Sequence, residues 1–302
     1  MRQEERVKTK RRSSISIFIV ILCVITAVLG AYAISGDTKE SLPIDDINNY
    51  IVSLPQYQVQ PSQTASKTFT FEQLAELCNG HLLLVNLDYA VPLYTPGNLV
   101  KISDYVWTLN PSISLNEDAL YMLRVLFDSA ASIGFTQFRV TQGFRTHEYQ
   151  QGLYARMTGS GLAAPPGHSE HQVGLAVDIS YHGVNIRNSR QGTWLMNNSY
   201  RYGFILRYPE HKTDITGLPF EPWHYRFVGQ PHAYFMRGRD FVLEEYIAYL
   251  ESNRAIAVVF DNTLFKIHYL SGADETIEIP ENYWFSASLD NTGGLIVTIW
   301  PD

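Results

Sequence analysis

The chain has 302 residues, 45% hydrophobic and 18% charged, with a formal charge of −7 at pH 7. That composition supports a packed core and excludes long disorder, and the length suits one large domain with additions, or two domains. The charge is uneven: residues 1–14 hold six basic and two acidic side chains, residues 15–34 hold none, and residues 35–302 therefore carry −11. A surface so acidic repels phosphate backbones, which excludes general nucleic-acid binding.

Residues 15–34 read ISIFIVILCVITAVLGAYAI. A helix of about 20 apolar or small residues spans roughly 30 Å, the thickness of a bilayer's hydrocarbon core. Arg11 and Arg12 close the basic run just before it, which places 1–14 in the cytoplasm and the rest of the chain outside. Ala31-Tyr32-Ala33 offers the alternative of a signal-peptidase site, although the apolar run exceeds a cleaved segment's usual length. Cys23 as a lipid attachment point is disfavoured by bulky Ile21 and Leu22 before it. The expectation is an uncleaved single-pass anchor with an extracytoplasmic domain.

Residues 35–69 are polar and punctuated by Pro43, Pro55 and Pro61, the pattern of a stalk. In FEQLAELCNG, Phe71, Leu74, Leu77 and Cys78 share one helical face, so Cys78 reads as a core residue rather than a reactive thiol. It is the only cysteine besides Cys23, which leaves no internal disulfide outside the membrane. Residues 82–86 form a short apolar strand candidate. In 116–131, Leu120, Leu123, Phe127, Ala130 and Ala131 recur at helical spacing, with acids in the first turn and Gly134 beyond the end. Residues 138–142 alternate like a strand. A short helix is predicted over 193–202, stopped by Gly203 and followed by a strand at 204–206, and an amphipathic helix over 240–253. From 255 onward AIAVVF, LFKIHYL, TIEIP, WFSASL and LIVTIW read as short strands between turns. The fold class is α+β, a small antiparallel sheet with flanking helices over 70–253, with a β-rich appendage at 254–302. There is no fixed-period repeat.

Two segments gather chemistry. In Gly167-His168-Ser169-Glu170-His171-Gln172-Val173-Gly174-Leu175-Ala176-Val177-Asp178, His171 and Asp178 are of zinc-ligand type. Seven extended residues would part them by about 23 Å, so sharing one ion requires a bend, which Gly174 permits. The alternative is a His–Asp hydrogen bond in a turn. In Glu221-Pro222-Trp223-His224, Pro222 disfavours a helix, so this is not the helical H-E-x-x-H arrangement. His224 would complete a set of two imidazoles and a carboxylate with a fourth position open. Glu221 would then take a proton from the attacking water and return it to the leaving amine, its alternative being a surface carboxylate. His81, His147, His182, His211, His232 and His268 read as surface or satisfied core residues. His168 reads either as hydrogen-bonded or as a substrate contact, and Trp223, Trp284 and Trp300 as packing. No glycine-rich phosphate loop stands at a strand–helix junction, which argues against nucleotide use.

Ser-x-His-x-x-Gly-x-Ala-x-Asp followed some 45 residues later by Glu-Pro-Trp-His-Tyr-Arg resembles the VanY-type zinc D-alanyl-D-alanine carboxypeptidases. That metallopeptidase family also holds the VanX dipeptidases and the L,D-carboxypeptidases. Gln142-Gly143-Phe144-Arg145 with Gln150 is similar to its Ser-Gly-Tyr-Arg…Gln segment, and 202–209 and 215–217 also resemble it. Gln142 and Phe144 depart from the Ser and Tyr usual there, which bears on fine specificity. The resemblance covers about 75–250, and the β-rich tail is similar to an extension in some VanY proteins of vancomycin-resistance clusters. It implies one zinc ion per chain on His171, Asp178 and His224, with Glu221 as catalytic base and acid. Arg145 would bind and polarise substrate, with Gln150 and Ser169 lining its site. The implied enzyme is a metallocarboxypeptidase that removes the terminal D-alanine from peptidoglycan stem peptides. The alternatives are an L,D-carboxypeptidase, a wall-binding module with a vestigial zinc site, or a chain whose tail docks a partner.

Overall fold

The computed structural model describes residues 65–91, 94–157, 163–182 and 185–302. The expected cytoplasmic tail, anchor and nearly all of the stalk lie outside them. Among the described residues no helix is long and apolar enough to cross a membrane.

Strand β1 (Ser66–Thr70) runs into the short helix α1 (Phe71–Ala75), where Thr70 and Gln73 cap each other reciprocally. The ribbon β2 (Leu99–Lys101) and β3 (Ser114–Asn116) leads into α2 (Glu117–Ser132). Asn116 caps α2 by accepting from the Asp118 and Ala119 N–H groups, and Glu117 and Asp118 complement the helix dipole. Its apolar stripe buries Leu120, Leu123, Leu126 and Ala130, each leucine contributing roughly 1.5–3 kcal/mol. Next come β4 (Phe138–Gln142), α3 (His147–Arg156), β5 (Ala176–Tyr181), α4 (Arg190–Asn198), β6 (Phe204–Leu206), α5 (Thr213–Thr216) and β7 (His224–Phe227). The four strands make one antiparallel sheet in the order β4-β5-β7-β6. Val140, Val177, Ile179, Phe204 and Tyr225 pack with α2 in one core.

Helices α6 (Gln230–Arg239) and α7 (Leu243–Asn253) follow. Strands β8 (Ala255–Phe260), β9 (Thr263–Leu270), β11 (Tyr283–Leu289) and β12 (Leu295–Pro301) form a second antiparallel sheet in the order β11-β12-β9-β8. The intervening β10 (Thr276–Pro280) pairs with β1 instead. Phe235, Met236, Tyr246 and Leu250 of the helices share a core with Val258, Ile267 and Ile296 of this sheet.

The α+β class, the antiparallel sheet and the β-rich tail agree with the sequence. Several local expectations do not. Residues 66–69, assigned to the stalk, form most of β1. The helix expected from 240 begins at Leu243, because Asp240 adopts φ +53 and closes α6. Leu77 is exposed because α1 stops at Ala75, while Cys78 is half-buried and its thiol donates to the Leu74 carbonyl. Trp284 is exposed rather than packed, its indole N–H donating to Asp302, whereas Trp223 packs on the main core. The apolar run 82–86 is buried but forms no strand. Its groups bond elsewhere: Leu82 N–H to Ser288 Oγ at 2.9 Å, Leu84 N–H to the Asp290 carbonyl at 2.9 Å, and the Leu83 carbonyl to Arg226 at 2.9 Å.

His232 of α6 joins helices and tail. Its Nδ1 lies 2.7 Å from the Tyr246 hydroxyl and its Nε2 3.1 Å from Thr298 Oγ1. Burial pulls its pKa down to about 3. An unfolded imidazole titrates near pH 6.5, so between that pH and about 3 the unfolded chain holds a proton that the native one refuses. Stability is thus full above roughly pH 6.5 and lost as pH falls. Thermal melts from pH 7 to pH 5 are expected to show a steeper loss of stability in the wild type than in His232→Gln. Equal slopes would remove this histidine from the acid response.

Candidate metal centre

Strand register assembles one row of the site. Gln142 of β4 stands opposite Asp178 of β5, and Asp178 stands opposite His224 of β7. Residues directly opposite in paired strands share a face, so these three project together. His171 reaches the row through a 3₁₀ turn, Glu170–Val173, closed by Gly174 at φ +70. This is the bend the sequence requires. A Cβ on Gly174 would also sit 2.8 Å from Leu99 Cδ2.

Asp178 Oδ1 lies 3.4 Å from His171 Nε2 and 3.0 Å from His224 Nδ1, and the three buried ligand atoms lie within 4.8 Å of one another. Tetrahedral zinc with bonds of about 2.0–2.1 Å has ligand–ligand edges of about 3.3 Å. Two imidazoles and a carboxylate at this spacing fit that ion. His171 donates its Nδ1 proton to the Gly143 carbonyl at 2.8 Å, leaving Nε2 towards the centre. Gly143 must be glycine here, because a Cβ would fall 2.5 Å from the Ser114 carbonyl oxygen.

Charge is tightly organised. Burial alone would raise Asp178, but His171 and His224 outweigh it and hold the carboxyl far below its usual range. Burial, aided by the Arg145 charge, lowers His171 to about 4. Burial opposes charge on His224 too, yet hydrogen bonds to Asp178 and Glu170 raise it to about 9. Glu221 Oε2 lies 3.7 Å from His224 Nδ1. Burial raises its pKa, the His224 charge opposing, so this carboxylate is poised to hold a proton.

Arg145 follows β4, its N–H donating to the His171 carbonyl at 3.1 Å. Its Nη2 lies 3.9 Å from Asp178 Oδ2, Nε donates to Gln142 Oε1 and Nη1 to Gln150 Oε1, both at 3.3 Å. Gln150 is fully buried, its amide donating to the Ala164 carbonyl at 2.8 Å, so its link to the centre runs through Arg145. Ser169 is buried at the head of the histidine turn without capping it. His168 donates Nδ1–H to the Asn86 carbonyl at 2.8 Å.

Sequence reasoning passed over Glu170. It is buried beside His224, with Arg207 and Arg226 fully buried against it. A carboxylate within the histidine turn was the available signal, but its partners lie 37 and 56 residues away.

Two histidines and an aspartate with converging ligand atoms, beside a carboxylic acid and a guanidinium, define a mononuclear metallohydrolase centre. A family model described as VanY, D-alanyl-D-alanine carboxypeptidase, matches residues 112–230. A D-alanyl-D-alanine carboxypeptidase of Enterococcus faecium is 35% identical over 246 residues, 79% of this chain and 80% of that one. The vancomycin resistance D,D-dipeptidase VanXYg, solved with a D-Ala-D-Ala phosphinate analogue, is similar with a TM-score of 0.67 and 28% identity, over 78% of this chain and 99% of that one. The LD-carboxypeptidase LdcB is similar with a TM-score of 0.51 and 34% identity, over 55% and 84%. The chain belongs to the VanY family of metallocarboxypeptidases and is a hydrolase.

Proposed function

We propose that this protein is a zinc D,D-carboxypeptidase that removes the terminal D-alanine from peptidoglycan pentapeptide stems ending in D-Ala-D-Ala. One zinc ion would be held by His171, Asp178 and His224. Residues 15–34 would anchor the chain, with 1–14 in the cytoplasm and the catalytic part outside, where the wall is built. The uncharged 20-residue run after a basic tail supports that placement. Loss of D-Ala-D-Ala ends would contribute to glycopeptide resistance, a reading supported by the similarity to a vancomycin resistance D,D-dipeptidase.

The observation that carries the reading is that Glu221 and Arg145 both stand beside the three ligand side chains, Glu221 Oε2 3.7 Å from His224 Nδ1 and Arg145 Nη2 3.9 Å from Asp178 Oδ2. Zinc, when bound, supplies Lewis acidity that lowers the pKa of water and polarises a carbonyl. Glu221 takes a proton from the water whose oxygen attacks the scissile carbonyl carbon. It then gives that proton to the amide nitrogen as the C–N bond breaks, releasing D-alanine. Its raised pKa suits both steps. Arg145 faces the charge that grows on the carbonyl oxygen, where a fixed cation stabilises the transition state more than the ground state. A binding module needs no such proton carrier, which disfavours that alternative.

Similarity to LdcB supports a second reading, an L,D-carboxypeptidase acting on tetrapeptide stems. Mass spectrometry of stems incubated with the zinc-loaded protein separates the two. Loss of one alanine from the pentapeptide, stopping at the tetrapeptide, is expected. An intact pentapeptide beside a trimmed tetrapeptide would establish the L,D activity instead, and no cleavage of either would favour a binding module.

A further inference from the structure

The two histidines face the centre with opposite nitrogens. His171 presents Nε2 because the Gly143 carbonyl takes its Nδ1 proton. His224 presents Nδ1, and its Nε2 points into the protein, 3.3 Å from Glu170 Oε2. We infer that Glu170 is a positioning residue for the metal centre: held between Arg207 and Arg226, it accepts the Nε2 proton of His224 and so aims the Nδ1 lone pair at the ion. This rests on the proposed role of His224 as a ligand.

The carboxylate is fixed from behind. Its Oε1 accepts Arg207 Nε at 2.7 Å and Arg226 Nη1 at 2.9 Å, which leaves Oε2 for His224. Each arginine is anchored in turn. Arg207 donates to both oxygens of Glu244 on α7, at 3.0 and 2.6 Å, and Arg226 Nη2 donates to the His81 and Leu83 carbonyls at 3.0 and 2.9 Å. Leu83 lies in the run 82–86, which pairs with no strand, and its carbonyl is one of the groups that hold Arg226. Glu244 also accepts from Asn86 at 3.0 Å. Two carboxylates and two guanidinium groups face one another in this cluster, with Glu170 2.7 Å from Arg207 and 2.9 Å from Arg226, and Glu244 2.6 Å from Arg207. Packed apolar residues of similar volume would serve stability as well as such buried ions. They would not accept a proton from His224, and a ligand histidine's second nitrogen sets its tautomer, orientation and basicity.

The test uses the full chain with ¹⁵N-labelled histidine. Titration of the wild type with zinc is expected to show one equivalent bound. Long-range ¹H–¹⁵N spectra of the loaded protein are expected to show His224 protonated on Nε2 and His171 protonated on Nδ1. Glu170→Gln is expected to raise the zinc dissociation constant about 10–100-fold. The comparison variant is Asp290→Asn, which disturbs a buried carboxylate that accepts from Tyr269 and the Thr292 and Gly294 N–H groups in the tail. At a similar loss of thermal stability it is expected to keep wild-type zinc affinity. Failure of the wild type to take up zinc overturns both the metal reading and this inference. Zinc bound with His224 protonated on Nδ1, or equal weakening in the two variants, overturns this inference alone. If Glu170→Gln does not fold, the wild-type tautomers decide.

Discussion

Replacing Glu221 by Ala or Gln is expected to lower kcat on D-Ala-D-Ala stems by about 10²–10⁴-fold, the usual contribution of a positioned acid–base group, with zinc affinity retained. The argument is geometric first. Glu221 Oε2 is 3.7 Å from His224 Nδ1, and the Pro222 turn brings the carboxylate back over the ligand row, with Glu221 N–H bonded to the Tyr208 carbonyl and His224 N–H to the Glu221 carbonyl. Neither variant touches a ligand atom, so the ion stays. Gln matters more than Ala as a test, since it keeps the volume and removes the carboxylate's capacity to take up and return a proton. Burial raises the Glu221 pKa, so the acid limb of the kcat/KM profile is expected above the ordinary carboxylate range. Steady-state rates across pH, with zinc content measured in parallel, check both statements. Near-full activity of Glu221→Gln would remove Glu221 from the proton transfer.

The contrast between Glu221 and Glu170 marks what the sequence could reveal. Glu221 shares a short turn with His224, and Gly174 allows the bend between His171 and Asp178, but spacing alone leaves a surface carboxylate and a His–Asp hydrogen bond as alternatives. It is the resemblance of the two segments together to the family's motif that makes these four residues legible. Glu170 is as close to His171 in sequence as a residue can be, yet its role depends on Arg207 and Arg226, which only the sheet brings to it. The alignment of Gln142, Asp178 and His224 likewise comes from strand register across β4, β5 and β7. The fold divides in the same way. Helix α2 has a cap, an acidic first turn and a clean apolar stripe, and it lies where the periodicity puts it. Strand β1 has only the weak pattern SKTFT and exists because β10 pairs with it from some 200 residues away. Residues 82–86 have a strand's apolarity, but Arg226, Ser288 and Asp290 claim their backbone groups.

Gln142 illustrates how a departure from the family's pattern acquires meaning in three dimensions, and it bears on the second large effect. Where a small hydroxyl is usual, this chain has a longer amide whose Oε1 accepts from Arg145 Nε at 3.3 Å, while Gln150 accepts from Nη1 on the other side. Nη2 points towards Asp178 Oδ2 at 3.9 Å. Three separate directions of the planar fork are therefore occupied or aimed by protein groups. Arg145→Lys is expected to lower kcat/KM by about 10²–10³-fold, the range for losing a preorganised transition-state donor, although the charge is unchanged. An ammonium on a flexible stem cannot satisfy Gln142 and Gln150 while facing the substrate oxygen. The loss is expected mainly in kcat if the fork meets charge that develops during reaction, and mainly in KM if it binds a substrate carboxylate already present. Zinc content should stay at one per chain in either case, because Arg145 is not among the ligands and its Nη2 lies 3.9 Å from Asp178 Oδ2, whereas Oδ1 is the oxygen near the two histidines. A variant within threefold of wild-type kcat/KM would show that positive charge alone suffices and that the glutamines serve the fold rather than the reaction.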